Sequence, residues 1–314
     1  MMFNWSKLSI NQPVFLPLLQ EKNVSLFVKR EDKIHPHISG NKFRKLKYNI
    51  AEAQEQNKNV ILTFGGAYSN HIAATAAFGK LAGIQTIGVI RGEELGLDLE
   101  RTLQKNSTLA LACKNGMHLT FISRTCYRNK TATSFLKSLS DRFGDFYVIP
   151  EGGTNALAVK GCEEILSTDD SKFDYICTAV GTGGTIAGLI NAKTTSQKIL
   201  GFPALKGDFL ANEILDFVPN QDGWSLENTY HFGGYGKVSE ELITFINNFF
   251  RETSILLDPI YTGKMMYGVI DLIKKDYFPK GSKILAIHTG GLQGIAGINT
   301  KLQKRNLPLI IKEL

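Results

Sequence analysis

Residues 175–185 read Tyr175-Ile176-Cys177-Thr178-Ala179-Val180-Gly181-Thr182-Gly183-Gly184-Thr185. The first six residues are apolar or β-branched and predict a strand buried on both faces. The glycines then let the chain turn sharply into a helix, whose first N–H groups are free to hold an anion. Ile186 stands where a dinucleotide fingerprint needs its third glycine, and no Gly-Lys-Ser/Thr follows. Neither a GxGxxG nor a Walker A loop is therefore present. The segment reads as a strand–loop–helix unit suited to a phosphate.

The same unit recurs on either side. Residues 60–64 predict a strand running into Gly65-Gly66, with Ser69 or Asn70 placed to cap a helix over 69–81. Residues 283–287 predict a strand that meets His288-Thr289-Gly290-Gly291. Further strands are expected at 25–29, 85–90, 118–122, 146–149 and 199–202. Helices are expected at 41–56, 97–114, 132–143, 238–251 and 263–274, and between Asn155 and about Leu166. Strands alternating with helices point to parallel sheets covered on both faces. There are too many strands for one doubly wound sheet, so two α/β domains with a cleft between them are expected. Ligands in such folds sit beyond the carboxyl ends of the strands, where the glycine-rich segments lie.

Composition agrees. The chain has 314 residues, 43% hydrophobic and 21% charged, which excludes global disorder and fibrous repeats. Lys and Arg total 36 against 29 Asp and Glu, a formal charge of +7. The densest basic cluster, Lys42-Phe43-Arg44-Lys45-Leu46-Lys47, is short, so a mildly basic surface is expected rather than nucleic-acid binding. Cys113, Cys126, Cys162 and Cys177 form no CxxC pair, which suits a reducing cytoplasm. No apolar stretch is long enough to cross a membrane, and residues 1–5 carry no signal-peptide pattern. His35 and His37 lack a supporting ligand set, so no metal site is expected.

Four segments carry candidate chemistry. Lys42, in Ser39-Gly40-Asn41-Lys42-Phe43, opens a helix, where the dipole opposes its charge and favours amine chemistry such as a Schiff base. The hydroxyl of Ser69 and the N–H groups around it can hold a carboxylate. Tyr235, between Gly234 and Gly236, and Tyr261, before Thr262-Gly263-Lys264, are aromatics in loop contexts.

Together these segments resemble the fold type II pyridoxal-phosphate enzymes, and among them the group of 1-aminocyclopropane-1-carboxylate deaminases and D-cysteine desulfhydrases. The resemblance runs from about Val28 to Gly291. It rests on Lys-Arg-Glu-Asp at 29–32, Gly-Asn-Lys at 40–42, Gly-Gly-Ala-Tyr-Ser-Asn-His at 65–71 and Glu-Gly-Gly at 151–153. It continues through Gly-Thr-Gly-Gly-Thr at 181–185, Tyr-Thr-Gly-Lys at 261–264 and His-Thr-Gly-Gly at 288–291.

The resemblance implies two open twisted α/β domains of the tryptophan synthase beta-like type, with the active site in the interdomain cleft. Residues 1–43 and 154–314 would form the large cofactor-binding domain and 44–153 the small one. It implies pyridoxal 5'-phosphate as cofactor, a small amino acid as substrate, a homodimer, and a cytoplasmic lyase. Lys42 would carry the cofactor. Gly181, Thr182, Gly183, Gly184 and Thr185 would cup its phosphate, Asn70 would sit near its 3-hydroxyl, and Thr289 would face its pyridine nitrogen. Ser69, Asn70 and His71 would contact the substrate. Tyr235 and Tyr261 match two active-site tyrosines of the group, with Tyr261 beside the pyridine ring.

One position separates the branches. The deaminases carry a glutamate after the tyrosine that Tyr261 matches, bonded to the pyridine nitrogen, and tend to have leucine where this chain has Thr289. Here the following residue is Thr262. A carboxylate keeps that nitrogen protonated and makes the ring a strong electron sink. Opening a cyclopropane, which has no good leaving group, needs such a sink. Expelling hydrosulfide from D-cysteine does not, so the resemblance favours the desulfhydrase branch. The cyclopropane deaminase reaction and a non-catalytic cofactor-binding protein are its rivals.

Overall fold

The structure is a computed structural model that describes residues 8–38, 40–207, 209–219 and 222–313. Ser39 and residues 1–5, read above, lie outside these ranges. The strands are β1 (Asn11–Val14), β2 (Ser25–Lys29), β3 (Val60–Gly66), β4 (Gln85–Arg91), β5 (His118–Ile122), β6 (Tyr147–Ile149), β7 (Tyr175–Val180), β8 (Lys198–Pro203), β9 (Trp224–Leu226) and β10 (Lys283–Ile287). They form a six-stranded sheet in the order β1-β2-β10-β7-β8-β9 and a four-stranded sheet in the order β5-β4-β3-β6. The chain leaves the large sheet after β2, builds the small sheet, and returns at β7.

The central strand β7 is buried along its whole length. Tyr175, Cys177 and Ala179 pack into the core on one face, and Ile176 and Val180 into the core on the other. β10 alternates in the same way, with Ile284 and Ala286 opposed to Leu285 and Ile287. The two-residue period of a strand thus feeds two cores from one apolar run.

The structure departs from the sequence expectations in a few places. β1 pairs antiparallel to β2, so the large sheet is not wholly parallel. Pro13 suits this edge, where a missing N–H costs least. β1 and the short β9 have too little pattern to be read. The helix expected over 97–114 is two helices, Leu99–Lys105 and Ser107–Lys114, broken at Asn106. Asn106 is extended, its side chain accepts from Leu109 N at 3.0 Å, and it donates to Ala67 O at 3.0 Å. The break ties these two helices to the loop after β3.

The Lys-Arg-Glu-Asp segment is scaffolding. Lys29 pairs with Asp170 at 2.7 Å, Arg30 with Asp32 at 2.7 Å, and Glu31 with Arg44 through two 2.9 Å bonds. The Glu31–Arg44 pair is almost wholly buried. It anchors the helix Asn41–Glu55, which runs unbroken from the large sheet toward the small one. The basic cluster on that helix is not the surface patch expected, since Arg44 and Lys45 are both buried.

Candidate active site

The carboxyl ends of β3, β4, β7 and β10 converge on a cavity of about 620 Å³. Lys42, Ser69, Asn70, His71, Gly181, Thr182, Gly183, Thr185, Tyr235, Tyr261 and Thr289 all line it. Gly184 stands just behind, in the first turn of the helix Gly184–Ala192. The structure therefore brings together residues drawn from six separate segments of the sequence.

Lys42 owes its place to Gly40. Gly40 has φ +65, and a Cβ there would stand 1.9 Å from the carbonyl oxygen of Thr289. Only glycine tolerates both demands. The contact lets Asn41 N donate to Thr289 O at 3.3 Å, so the helix starts directly against the end of β10. Lys42 then projects into the cavity, where its ammonium is lowered to about 7. Burial is the main cause, and the neighbouring Lys45 adds to it, while Cys162 opposes them. The dipole argument predicts the right direction, but desolvation is the larger effect.

Sequence reading missed Lys45. It is 2% exposed, and its Nζ donates to Thr154 Oγ1 at 2.8 Å, Gly152 O at 3.3 Å and Thr182 Oγ1 at 3.3 Å. No carboxylate pairs with it among the described residues, and burial lowers it to about 8. A Cβ at Gly184 would stand 3.2 Å from this Nζ. A buried, uncompensated cation therefore lies against a glycine loop that opens a helix. This is an arrangement that wants an anion, and the phosphate of pyridoxal phosphate fits it. The three-residue spacing from Lys42, which puts both lysines on one helix face, is the signal that could have found it.

The remaining groups are held in turn. Ser69 caps the helix Asn70–Ala82, its hydroxyl accepting from Ile72 N at 3.4 Å. Thr185 Oγ1 accepts from Asn41 Nδ2 at 2.8 Å. Thr63 donates its only hydroxyl hydrogen to Ile149 O, so His71 Nε2 donates to Thr63 Oγ1 at 2.7 Å. His71 Nδ1 is then an unprotonated acceptor with no partner among the described residues. Burial, then the charges of Lys42 and Lys45, hold this ring well below the usual histidine range.

Tyr235 and Tyr261 meet edge to face, with centroids 6.2 Å apart. The Tyr261 ring passes over the glycine loop, 3.1 Å from where a Cβ at Gly181 would sit. Burial raises both phenols, Tyr261 by much more, with Tyr235 and Asp258 adding to its shift. Thr289 lines the cavity, whereas Thr262 is fully buried behind it. The Thr262 hydroxyl donates to Asp258 Oδ2 at 2.7 Å and accepts from Asp258 N at 2.9 Å. Asp258 also accepts from the backbone N–H groups of Ile260, Tyr261 and Thr262. This carboxylate, which sequence reading did not single out, fixes the backbone of Tyr261. Among the described lining residues the only carboxylate is Glu151, which pairs with Lys130 at 3.1 Å.

Residues 11–290 match the family model described as pyridoxal-phosphate dependent enzyme. The chain is 35% identical over 297 residues to a bifunctional D-cysteine desulfhydrase/1-aminocyclopropane-1-carboxylate deaminase, mitochondrial, of Arabidopsis thaliana, covering 86% of this chain and 73% of that protein. It is 28% identical over 309 residues to a 1-aminocyclopropane-1-carboxylate deaminase of Bradyrhizobium sp. (strain ORS 278), covering 87% and 88%. The crystal structure of an ACC deaminase homologue superposes with a TM-score of 0.77 at 29% identity, covering 94% of this chain and 93% of that one. With the lysine, the glycine loop and the paired tyrosines around one cavity, the chain belongs to the pyridoxal-phosphate-dependent enzymes, in the group of 1-aminocyclopropane-1-carboxylate deaminases and D-cysteine desulfhydrases.

Proposed function

We propose that this enzyme eliminates hydrosulfide from D-cysteine, giving pyruvate, hydrogen sulfide and ammonia with the uptake of one water. The observation that carries the reading is Thr262. Its hydroxyl is engaged by Asp258 behind the cavity wall, and Thr289 is the residue at the end of β10 that lines the cavity. No carboxylate is thereby offered where the deaminases place one, which supports the reaction with the better leaving group over ring opening.

Pyridoxal phosphate, when bound, supplies the electron sink for the carbanion at Cα. Lys45, Thr182 and the N–H groups of the Gly181–Thr185 loop would hold its phosphate, and Lys42 would be its point of attachment. Ser69 and the backbone around it hold the substrate carboxylate. Lys42 takes the Cα proton, because it alone of the candidate bases is lowered to about 7, near the pH at which general bases work best. Tyr235 and Tyr261, both raised by burial, stay protonated as donors lining the same cavity as Lys42. The resemblance to the group also leads us to propose a homodimer, checked by light scattering, and a reducing, cytoplasmic setting.

The test is a parallel assay of the holoenzyme with D-cysteine, L-cysteine, D-serine and 1-aminocyclopropane-1-carboxylate, identifying the keto acid by chromatography. Pyruvate with sulfide from D-cysteine is the expected result. 2-Oxobutyrate from the cyclopropane substrate would overturn the argument from Thr262. Lys42→Ala is expected to abolish cofactor fixation by borohydride, and fixation in that variant would remove Lys42 from its role.

A further inference from the structure

Beyond the ends of β3 and β4 a second cavity, of about 510 Å³, opens from the first. The two share Gly66, Ala67, Tyr68, Arg91 and Lys301 as walls, so one chamber leads into the other. Arg91, Arg124, Arg128 and Lys301 line the outer chamber against a single carboxylate, Glu94. Arg124 takes up that carboxylate at 2.6 Å, and no carboxylate pairs with the other three cations among the described residues. Aromatic faces hold two of them instead. Arg91 lies 5.6 Å from the Tyr127 ring centre and Lys301 lies 5.4 Å from that of Tyr68. Such contacts orient a cation without neutralising it.

The Tyr127 hydroxyl, buried in the chamber wall, turns to Glu151, and one further observation points to a ligand. Arg91 ends β4 beside Gly66, where a Cβ would stand 3.6 Å from its Nη2, and it lines the inner cavity together with Tyr235. Its guanidinium therefore stands where the two chambers join. A neutral substrate side chain would leave these donors unused. A tetrahedral oxyanion offers several acceptors, and arginine binds phosphate with paired bonds.

We propose that the outer chamber recognises a second anionic group on the substrate, so that α-amino acids bearing a β-phosphate ester are preferred over their neutral counterparts, with Arg91 as the specificity-determining residue. This rests on the β-elimination reading of the inner cavity. With O-phosphoserine the Cα–H bond breaks and its electron pair forms the Cα–Cβ double bond. The Cβ–O bond breaks with its pair leaving on inorganic phosphate. One water then hydrolyses the released enamine to pyruvate and ammonia. The proton from Cα passes to the enzyme base and is returned to the products.

The test titrates the holoenzyme with both enantiomers of O-phosphoserine and of serine. Binding is followed in the visible band of the cofactor, and turnover by release of pyruvate and phosphate. One charge-assisted contact is worth about ten- to hundredfold in affinity. O-Phosphoserine is expected to bind about 30-fold tighter than serine of the same hand. Arg91→Gln is expected to erase most of that preference and Arg91→Lys to keep part of it, which separates lost recognition from a misfolded strand end. Equal affinity for the two ligands, or a preference untouched in Arg91→Gln, would overturn the proposal. Inorganic phosphate bound in an Arg91-dependent way, with no phosphoserine preference, would mark a free-anion site and overturn the substrate assignment. Turnover of D-cysteine without any phosphoserine preference would sink this inference alone. An Arg91-dependent preference without turnover of any amino acid would support it and sink the elimination reading.

Discussion

Replacing Lys45 by methionine removes a buried charge while keeping most of the side chain's length and volume. Lys45 is lowered from the ordinary 10.5 to about 8. At about 1.36 kcal/mol per pH decade, holding this charge costs the cofactor-free fold about 3 kcal/mol at pH 7. The unfolded chain stays protonated up to 10.5 and the folded one only to about 8. The stability of the cofactor-free protein therefore rises with pH across that window, as this cost is relieved. Methionine removes the cost but deprives Gly152 O of its donor, a loss of about 1 kcal/mol. The hydroxyls of Thr154 and Thr182 still bond each other at 2.5 Å. The cofactor-free variant should thus gain about 2 kcal/mol at pH 7 and melt several degrees higher. Cofactor affinity should move the other way. Losing a charge-assisted bond to phosphate costs about 1.5–3 kcal/mol, or roughly ten- to hundredfold in Kd. Calorimetric melting at pH 7 and 10, with absorbance titration by pyridoxal phosphate, measures both. A variant that melts below the parent at pH 7 and binds cofactor as tightly would refute the assignment of Lys45 to the phosphate.

Three other perturbations test separate parts of the structure. Cofactor attachment needs neutral Lys42, so its rate in the cofactor-free protein should rise with pH through a midpoint near 7. In Lys45→Met that midpoint should move upward, since Lys45 helps to lower Lys42; stopped-flow absorbance would read both, and an unmoved midpoint would deny the coupling. Gly40→Ala places a Cβ 1.9 Å from Thr289 O at φ +65. It should cost about 2–5 kcal/mol in urea unfolding, and a cost under about 1 kcal/mol would show that this contact is easily relieved. Thr262→Glu should raise 2-oxobutyrate formation from 1-aminocyclopropane-1-carboxylate, and no gain would deny position 262 the role of sole switch.

The central strands were legible because β7 and the last four residues of β10 are buried, largely apolar runs that lead into glycine-containing turns. The edges of the large sheet were not, because β1 carries Pro13 and only four residues, and β9 only three. The break at Asn106 escaped because the apolar period continues across it, and only a tertiary bond to Ala67 shows why the residue is extended. In the site, glycine loops and cap residues announced themselves by local pattern. Asp258 did not, since its work is to bond backbone N–H groups that any residues would supply. Arg91 reads as an ordinary strand-end residue until Gly66 and Tyr127 are seen beside it.

The cluster Lys42-Phe43-Arg44-Lys45-Leu46-Lys47 concentrates the problem. Read as a string it is a basic patch. Wound into a helix it separates into three pairs, each spaced by three residues and so sharing a face. Phe43 and Leu46 enter the core between the helix and the small sheet. Arg44 and Lys47 meet Glu31 and Glu164, at 2.9 Å and 2.7 Å. Lys42 and Lys45 are left facing the cavity with no carboxylate paired to them among the described residues, and burial lowers both ammonium groups. The paired cations fix the helix so that the unpaired ones can stay unpaired. Exchanging an acid into the cavity face would relieve the charge and with it the reactivity of Lys42. The chemistry of the site therefore depends on how one short basic run is divided between its structural and its open faces.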